Sequence, residues 1–431
     1  ASSSSIPNQS DHAFMSASMP TLAPADIAET ITYGLMGYGL SRYAGVWVGL
    51  KTVADVIEGS ASVVVSPEHP AIVLPEGLEL PSDAMGMRWP DTRWAQDARL
   101  LNVRIPAALA FARANRLDQV CFGATRKPRL GVVTSGKATG DVRQALAELD
   151  IDQPMAEALG LAVYKVAMTW PLEPVALRVF AQGLEEVLVV EERRAFIEPQ
   201  LKEQAYHWPA DQRPRIVGKS DETGAPLLPQ DGVLTPLLVA QILGHRLAVF
   251  GLPEHVRLRL AAIDAQLAAP SKNIATLERS PHFCSGCPHA RSTQVPEGSL
   301  AMAGIGCHSL RLGMPDSRTL FMVQMGGEGS NWLGAAPFVA TEHVFQNLGD
   351  GTYGHSGSLA IRAAVAAKRS ITFRILYNGI VAMTGGQPAE GGLTIGQISH
   401  QLLAEGVKRV IIVAEDPQAT TRGTGLASGV E

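Results

Sequence analysis

Three times between residues 130 and 204 a short apolar run is followed by a stretch of helical periodicity. The runs are 130–134, 161–166 and 187–191, and the stretches are 140–149, 173–182 and 195–204. A buried strand followed by a helix of this length packs back onto its own sheet by a right-handed crossover, which makes neighbouring strands parallel. This alternation confines the chain to the α/β class, with parallel sheets flanked by helices. At 431 residues the chain is too long for one core, so several domains are expected.

The boundaries follow composition and punctuation. Residues 1–75 read as part of an α/β domain, with helices at 24–32 and 45–57 and short strands at 63–65 and 72–74; three glycines leave 33–43 open between helix and loop. Residues 76–127 read as a linker, Pro-rich and then helical over 91–116, where Pro106 marks a kink or a new start. Residues 128–250 are the α/β domain of the repeating pattern, and 251–279 a second helical linker. Residues 280–431 form a last α/β unit, with strands expected at 321–325, 371–377 and 410–414 and helices at 356–368 and 395–405.

The formal net charge of −5, without a basic stripe, argues against nucleic acid as a partner. No apolar run is long enough for a membrane-spanning helix, and Ala1 to Ser5 lack the order of a secretory signal. Of four cysteines, Cys121 reads as a core residue and the other three share one neighbourhood. That pattern favours a metal or redox site in a reducing, cytoplasmic compartment over a disulfide framework.

The chemistry concentrates after residue 280. Gly349-Asp350-Gly351 follows an apolar run, and Asn378 ends the next one. Asp350 offers a hard oxygen to a divalent cation, the glycines admit phosphate close to the backbone, and the following helix start presents N–H groups. Cys284 and Cys287 have metal-ligand spacing, and Cys307 follows 20 residues later. Zinc with His289 or His308, a dithiol pair and an iron–sulfur cluster all suit that spacing. Elsewhere, Thr134-Ser135-Gly136-Lys137 is an ordinary strand-to-helix turn that could hold an anion. Gly218-Lys219-Ser220 lacks the glycine of a phosphate loop at Arg213, Glu191-Glu192 reads as a solvated strand end, and residues 6–12 read as a surface loop that could face a ligand.

Taken together these stretches resemble the large thiamine-diphosphate-dependent indolepyruvate:ferredoxin oxidoreductases of the 2-oxoacid:ferredoxin oxidoreductase family. The resemblance is carried by Ser41-Arg42-Tyr43-Ala44-Gly45, Gly131 to Gly136, Val189-Val190-Glu191-Glu192, Phe283 to His289, Gly304 to His308, Phe345 to Gly351 and Ala382 to Gln387. It implies the end of a pyrimidine-binding domain (1–75), a transketolase C-terminal-like domain (128–250) and a diphosphate-binding domain (280–431). It implies thiamine diphosphate and Mg²⁺, with Asp350, Asn378 and the Ile380 carbonyl as metal ligands and Gly349, Gly351, Thr384 and Gly385 beside the cofactor. It also implies a [4Fe-4S] cluster on Cys284, Cys287 and Cys307. The substrates would be an aryl 2-oxo acid such as indole-3-pyruvate and coenzyme A, the electron acceptor ferredoxin, and the assembly a homo-oligomer.

In that setting His355 is the candidate for a proton-transfer or polarising role and Glu328 for contact with cofactor or substrate. Gly379 departs from the family's paired side chains after Asn378. The activating glutamate is expected before Ala1 and the fourth cluster ligand after Glu431, so these 431 residues alone are expected to bind cofactor weakly and turn nothing over. The rival readings are a cluster-free thiamine-dependent decarboxylase or transketolase-type lyase, and a non-catalytic fragment.

Overall fold

The computed structural model describes residues 8–66, 69–78, 81, 83, 85–124, 128–269, 280–315, 317–389 and 391–431. Ile6 and Pro7 of the expected ligand-facing loop, and the end of the second expected linker, lie outside the described residues. The chain divides into two compact units, Ala1–Lys272 and Asn273–Glu431.

The first unit is built on a five-stranded sheet in the order Gln119–Gly123, Leu161–Lys165, Leu130–Thr134, Glu186–Val190, Arg215–Val217. Four strands are parallel, and the edge strand Gln119–Gly123 runs antiparallel. The three inner strands are buried along their whole length, which is why they read as unbroken apolar runs. Successive side chains point to opposite faces. Val132 and Leu188 pack on one side with Leu243 and Leu260, while Val133 and Val189 pack on the other with Leu177 and Ile197. The helix Glu254–Ala268 thus belongs to this core through Val256, Leu260 and Ile263, and is no free linker.

A further core pairs the helix Ile27–Ala44 with Ile105–Ala114 through Met36, Leu40, Ala108 and Phe111. The first of these runs straight through the three glycines. Asp26 caps it by accepting the Glu29 N–H, and Gly45 ends it with φ 67°. At Gly39 a side chain would press first on Ile72 and then on Phe111, so glycine there permits the close approach of both. A π-helical turn, Leu100–Arg104, precedes Pro106, because proline cannot donate the regular helical bond.

Several expectations are corrected. Residues 45–57 are no single helix but a two-residue strand, Gly49–Leu50, and a turn, Ala54–Ile57. Residues 63–65, 72–74 and 410–414 form no strands, and Val64 is 97 % exposed. Strand-like composition alone does not make a strand: Val73 bonds to the Asn115 side chain, and the main chain of Val410 and Ile412 bonds to Glu431. Glu191 is no solvated strand end. It is buried and accepts the N–H groups of Phe196, Ile197 and Glu198 at 2.8–3.1 Å, satisfying a helix N-terminus. Lys219 is likewise structural, donating to the carbonyls of Glu191 and Pro229. Lys137 is held by Asp141, Glu192 and the Leu234 carbonyl.

The second unit carries a four-stranded, wholly parallel sheet in the order Thr319–Met322, Leu300–Ala303, Val344–Gly349, Ile371–Leu376. Leu348, Tyr353, Ile361, Ile398 and Leu402 form its main core with the helices Ser358–Ala366 and Ile395–Ala404. The second helix opens with a capping box between Thr394 and Gln397. Chain order leaves Leu300–Ala303 first to one side and then to the other. The sheet therefore has its switch point between Leu300–Ala303 and Val344–Gly349, where open α/β sheets form a crevice outside the strand ends.

Candidate functional site in the second parallel sheet

Both motifs singled out in the sequence leave the sheet at this switch point. Leu300–Ala303 runs into Gly304-Ile305-Gly306-Cys307, and Val344–Gly349 runs into Asp350. They lie side by side: a side chain on Gly349 would stand 3.9 Å from the Ile305 carbonyl oxygen. Strand Ile371–Leu376 pairs in register with Val344–Gly349, so Gly349 faces Leu376 and the Asp350 and Asn378 turns emerge together.

Asp350 spans that gap. Its Oδ2 accepts the N–H groups of Asn378 at 2.9 Å and Gly379 at 2.6 Å, and its Oδ1 accepts that of Gly351 at 2.8 Å. Asn378 Oδ1 accepts the Ile380 N–H at 3.0 Å. Ile380–Val381 then pairs antiparallel with Gln387–Pro388, and Thr384 Oγ accepts from the Gln387 amide within this hairpin, beside Gly385. Gly379 has φ 73° with open space around its α-carbon. Glycine, asparagine and aspartate are the residues that adopt this region readily, so the departure from the paired motif keeps the backbone intact. A carboxylate and an amide oxygen at adjoining strand ends fit Mg²⁺, which takes few protein ligands and completes its octahedron with water and phosphate oxygens.

From Asp350 the chain is helical through Asp350–Thr352, a π-helical turn Tyr353–Gly357 and Ser358–Ala366. His355 lies exposed on the π-turn, its Nδ1 2.7 Å from Ser356 Oγ. Glu328 is wholly buried; its Oε2 accepts the Gly326 N–H at 2.7 Å, and burial pushes its carboxyl up from the ordinary range against that bond.

Cys284 is exposed, while Cys287 and Cys307 are half-buried; all three are free thiols. Cys287 Sγ lies 3.4 Å from His289 Nδ1, and the rings of His289 and His308 are parallel at 6.3 Å. His308 is buried with Nε2 unpartnered, and burial, then His289, pushes its pKa down to about 4. Among the described residues no group of three or more His, Cys, Asp or Glu is gathered to hold a metal ion. A four-thiolate cluster also needs one more cysteine than these loops supply. The buried unpartnered groups of Gln346 and Asn347 were given no role by the sequence; their only sign was a polar pair inside an apolar strand.

Residues 120–269 match the family model described as "Indolepyruvate oxidoreductase domain". The chain is 26 % identical over 388 residues to the indolepyruvate oxidoreductase subunit IorA of Methanothermobacter thermautotrophicus, covering 87 % of this chain and 57 % of that protein. It is 27 % identical over 291 residues to IorA of Thermococcus kodakarensis, covering 63 % and 41 %. The chain thus spans about half the length of the curated relatives it matches. A solved 2-oxoglutarate:ferredoxin oxidoreductase from Magnetococcus marinus overlaps 53 % of this chain and 42 % of its own at 16 % identity and a TM-score of 0.33, too slight a likeness to carry an argument.

Proposed function

We propose that this chain, a member of the 2-oxoacid:ferredoxin oxidoreductases of the indolepyruvate oxidoreductase type, holds the diphosphate of thiamine diphosphate through Mg²⁺ at Asp350, Asn378 and the Ile380 carbonyl. The observation that carries this reading is the Asp350 carboxylate held across the ends of strands Val344–Gly349 and Ile371–Leu376, beside the sheet's switch point. Gly349 and Gly351 leave room for phosphate oxygens, and Thr384 and Gly385 lie on the hairpin that follows the Asn378 turn.

When bound, thiamine diphosphate supplies an electron sink for decarboxylating a 2-oxo acid. The residues of this chain bind and orient. Asp350 fixes the turn that places Asn378 and Ile380, and His355, exposed and bonded to Ser356, is the candidate for holding or moving a proton near substrate. Cys284, Cys287 and Cys307 are proposed as three of the four ligands of a [4Fe-4S] cluster. The reaction proposed for the whole protein is oxidative decarboxylation of an aryl 2-oxo acid of the indole-3-pyruvate kind, with coenzyme A taking the acyl group and ferredoxin the electrons. Like the homo-oligomeric state, these partners rest on kinship.

The test is an anaerobic preparation of the full-length protein. Iron, sulfide and thiamine are counted, and indolepyruvate and phenylpyruvate are assayed with coenzyme A and an electron acceptor. Turnover that requires all of thiamine diphosphate, Mg²⁺, coenzyme A and the acceptor is expected. Activity in a preparation free of iron and sulfide, without an acceptor, would replace this reading with a cluster-free lyase.

A further inference from the structure

We propose that Glu328 is held as the neutral acid and acts as a positioning residue, tying the loop of residues 326–329 to the strand end from which Asp350 projects. Glu328 is 0 % exposed, and among the described ion pairs no cation meets it. One carboxyl oxygen accepts the Gly326 N–H; the other, Oε1, is buried and receives no hydrogen bond. A buried carboxylate with one oxygen unpartnered is destabilised as an unpaired buried charge is. A protonated carboxyl turns that oxygen into a donor, which needs only an acceptor.

A carbonyl acceptor borders the same space as that oxygen. Gly304 has no side chain, and the space a Cβ would fill is bounded by Glu328 Oε1 at 3.0 Å and the Asn347 main-chain carbonyl oxygen at 3.1 Å. Glu328 thus reaches under the carboxyl ends of both central strands, Leu300–Ala303 and Val344–Gly349. The loop itself touches the helical turn after Asp350, since a Cβ on Gly326 would meet Ser356 Oγ at 2.6 Å. Gly326 and Gly329 take φ of 90° and 85°, so the loop has the glycines its path requires. The groups facing Glu328 from the surrounding elements, at Gly304, Gly326 and Asn347, do not titrate. His308, a titratable group bonded to the Gly304 backbone, is kept neutral by burial. The burial that raises the Glu328 carboxyl acts in the same direction.

Difference infrared spectroscopy between the full-length protein and E328Q reads the proton directly. A protonated-carboxyl band at neutral pH, present in the parent and missing in E328Q, is expected. Glutamine keeps an acceptor and a donor, so E328Q should unfold at nearly the parent temperature. E328A should unfold lower by on the order of 5 °C. A missing band at neutral pH overturns the proposal, as does an E328Q variant as destabilised as E328A.

Discussion

Asp350 and Asn378 lie 28 residues apart, yet the Asp350 carboxylate accepts the Asn378 main-chain N–H at 2.9 Å. The side chain that would reach the metal therefore also fixes the turn carrying the metal's second ligand. Replacing Asp350 with alanine removes both contributions. Charge-assisted hydrogen bonds contribute about 1.5–3 kcal/mol each, and a 3 kcal/mol loss is roughly a hundredfold in affinity. Calorimetric titration of the full-length protein with thiamine diphosphate at fixed Mg²⁺ should register a loss of that order. Unchanged affinity would remove Asp350 from the site.

Gly379 offers a test of backbone against side chain. Its φ of 73° disfavours alanine by about 1–2 kcal/mol, whereas asparagine tolerates this region and nothing stands within 4 Å of the new Cβ. Gly379→Asn should keep the parent's Tm and thiamine diphosphate affinity, while Gly379→Ala lowers the Tm. Equal thermal shifts in the two variants would mean that strain at this position is not what selects glycine.

The pattern of legibility follows from range. The Asp350 and Asn378 turns were readable because each sits directly at a strand end, and the parallel sheet of the first unit because buried strands leave apolar runs. What the sequence concealed depends on distant neighbours. Residues 63–65 and 72–74 have strand-like composition but no paired strand, and Val73 instead exchanges hydrogen bonds with the Asn115 side chain. Glu191 looks solvated because nothing local says that it will cover a helix N-terminus, and the burial of Glu328 is equally invisible because the strand end that covers it is distant in the chain. In the same way the helix Glu254–Ala268 looks like a connector until the core it covers is known.

Asp118 makes the first unit sensitive to pH. Its Oδ1 accepts the N–H groups of Ala167 and Met168 while Oδ2 is buried without a partner, and burial raises its pKa from 3.8 to about 7. The two main-chain bonds oppose that shift, and Glu173 adds to it. Below its ordinary pKa the group is protonated both folded and unfolded and its contribution is fully present. As pH rises from there through about 7 the unfolded chain ionises first, so stability falls, by at most on the order of 4 kcal/mol, and then levels. Denaturant melts across that window should have this slope in the parent and lack it in Asp118→Asn, whose amide oxygen can still accept both N–H groups. A slope that persists in the variant would assign the pH dependence elsewhere.

Glu186 and Arg246 fasten a helix to the first sheet. Glu186 is 1 % exposed on its strand, and Arg246 on the helix Pro236–Ala248 donates to both its oxygens, through Nε at 2.6 Å and through Nη2. Arg215 on the adjoining strand donates to the same carboxylate at 2.8 Å. Removing the carboxylate leaves the guanidinium of Arg246, itself only 12 % exposed, beside the sheet without its main partner. Breaking a buried pair on one side costs about 3–5 kcal/mol, and the Glu222 contact of Arg246 offsets part of that. Glu186→Ala should therefore lower unfolding free energy by about 2–4 kcal/mol in denaturant melts. Adding Arg246→Leu to Glu186→Ala should recover part of the loss, since an apolar side chain there no longer strands a charge. A double variant no more stable than the single one would show that the cost lies in the packing of Glu186 and not in its charge pair.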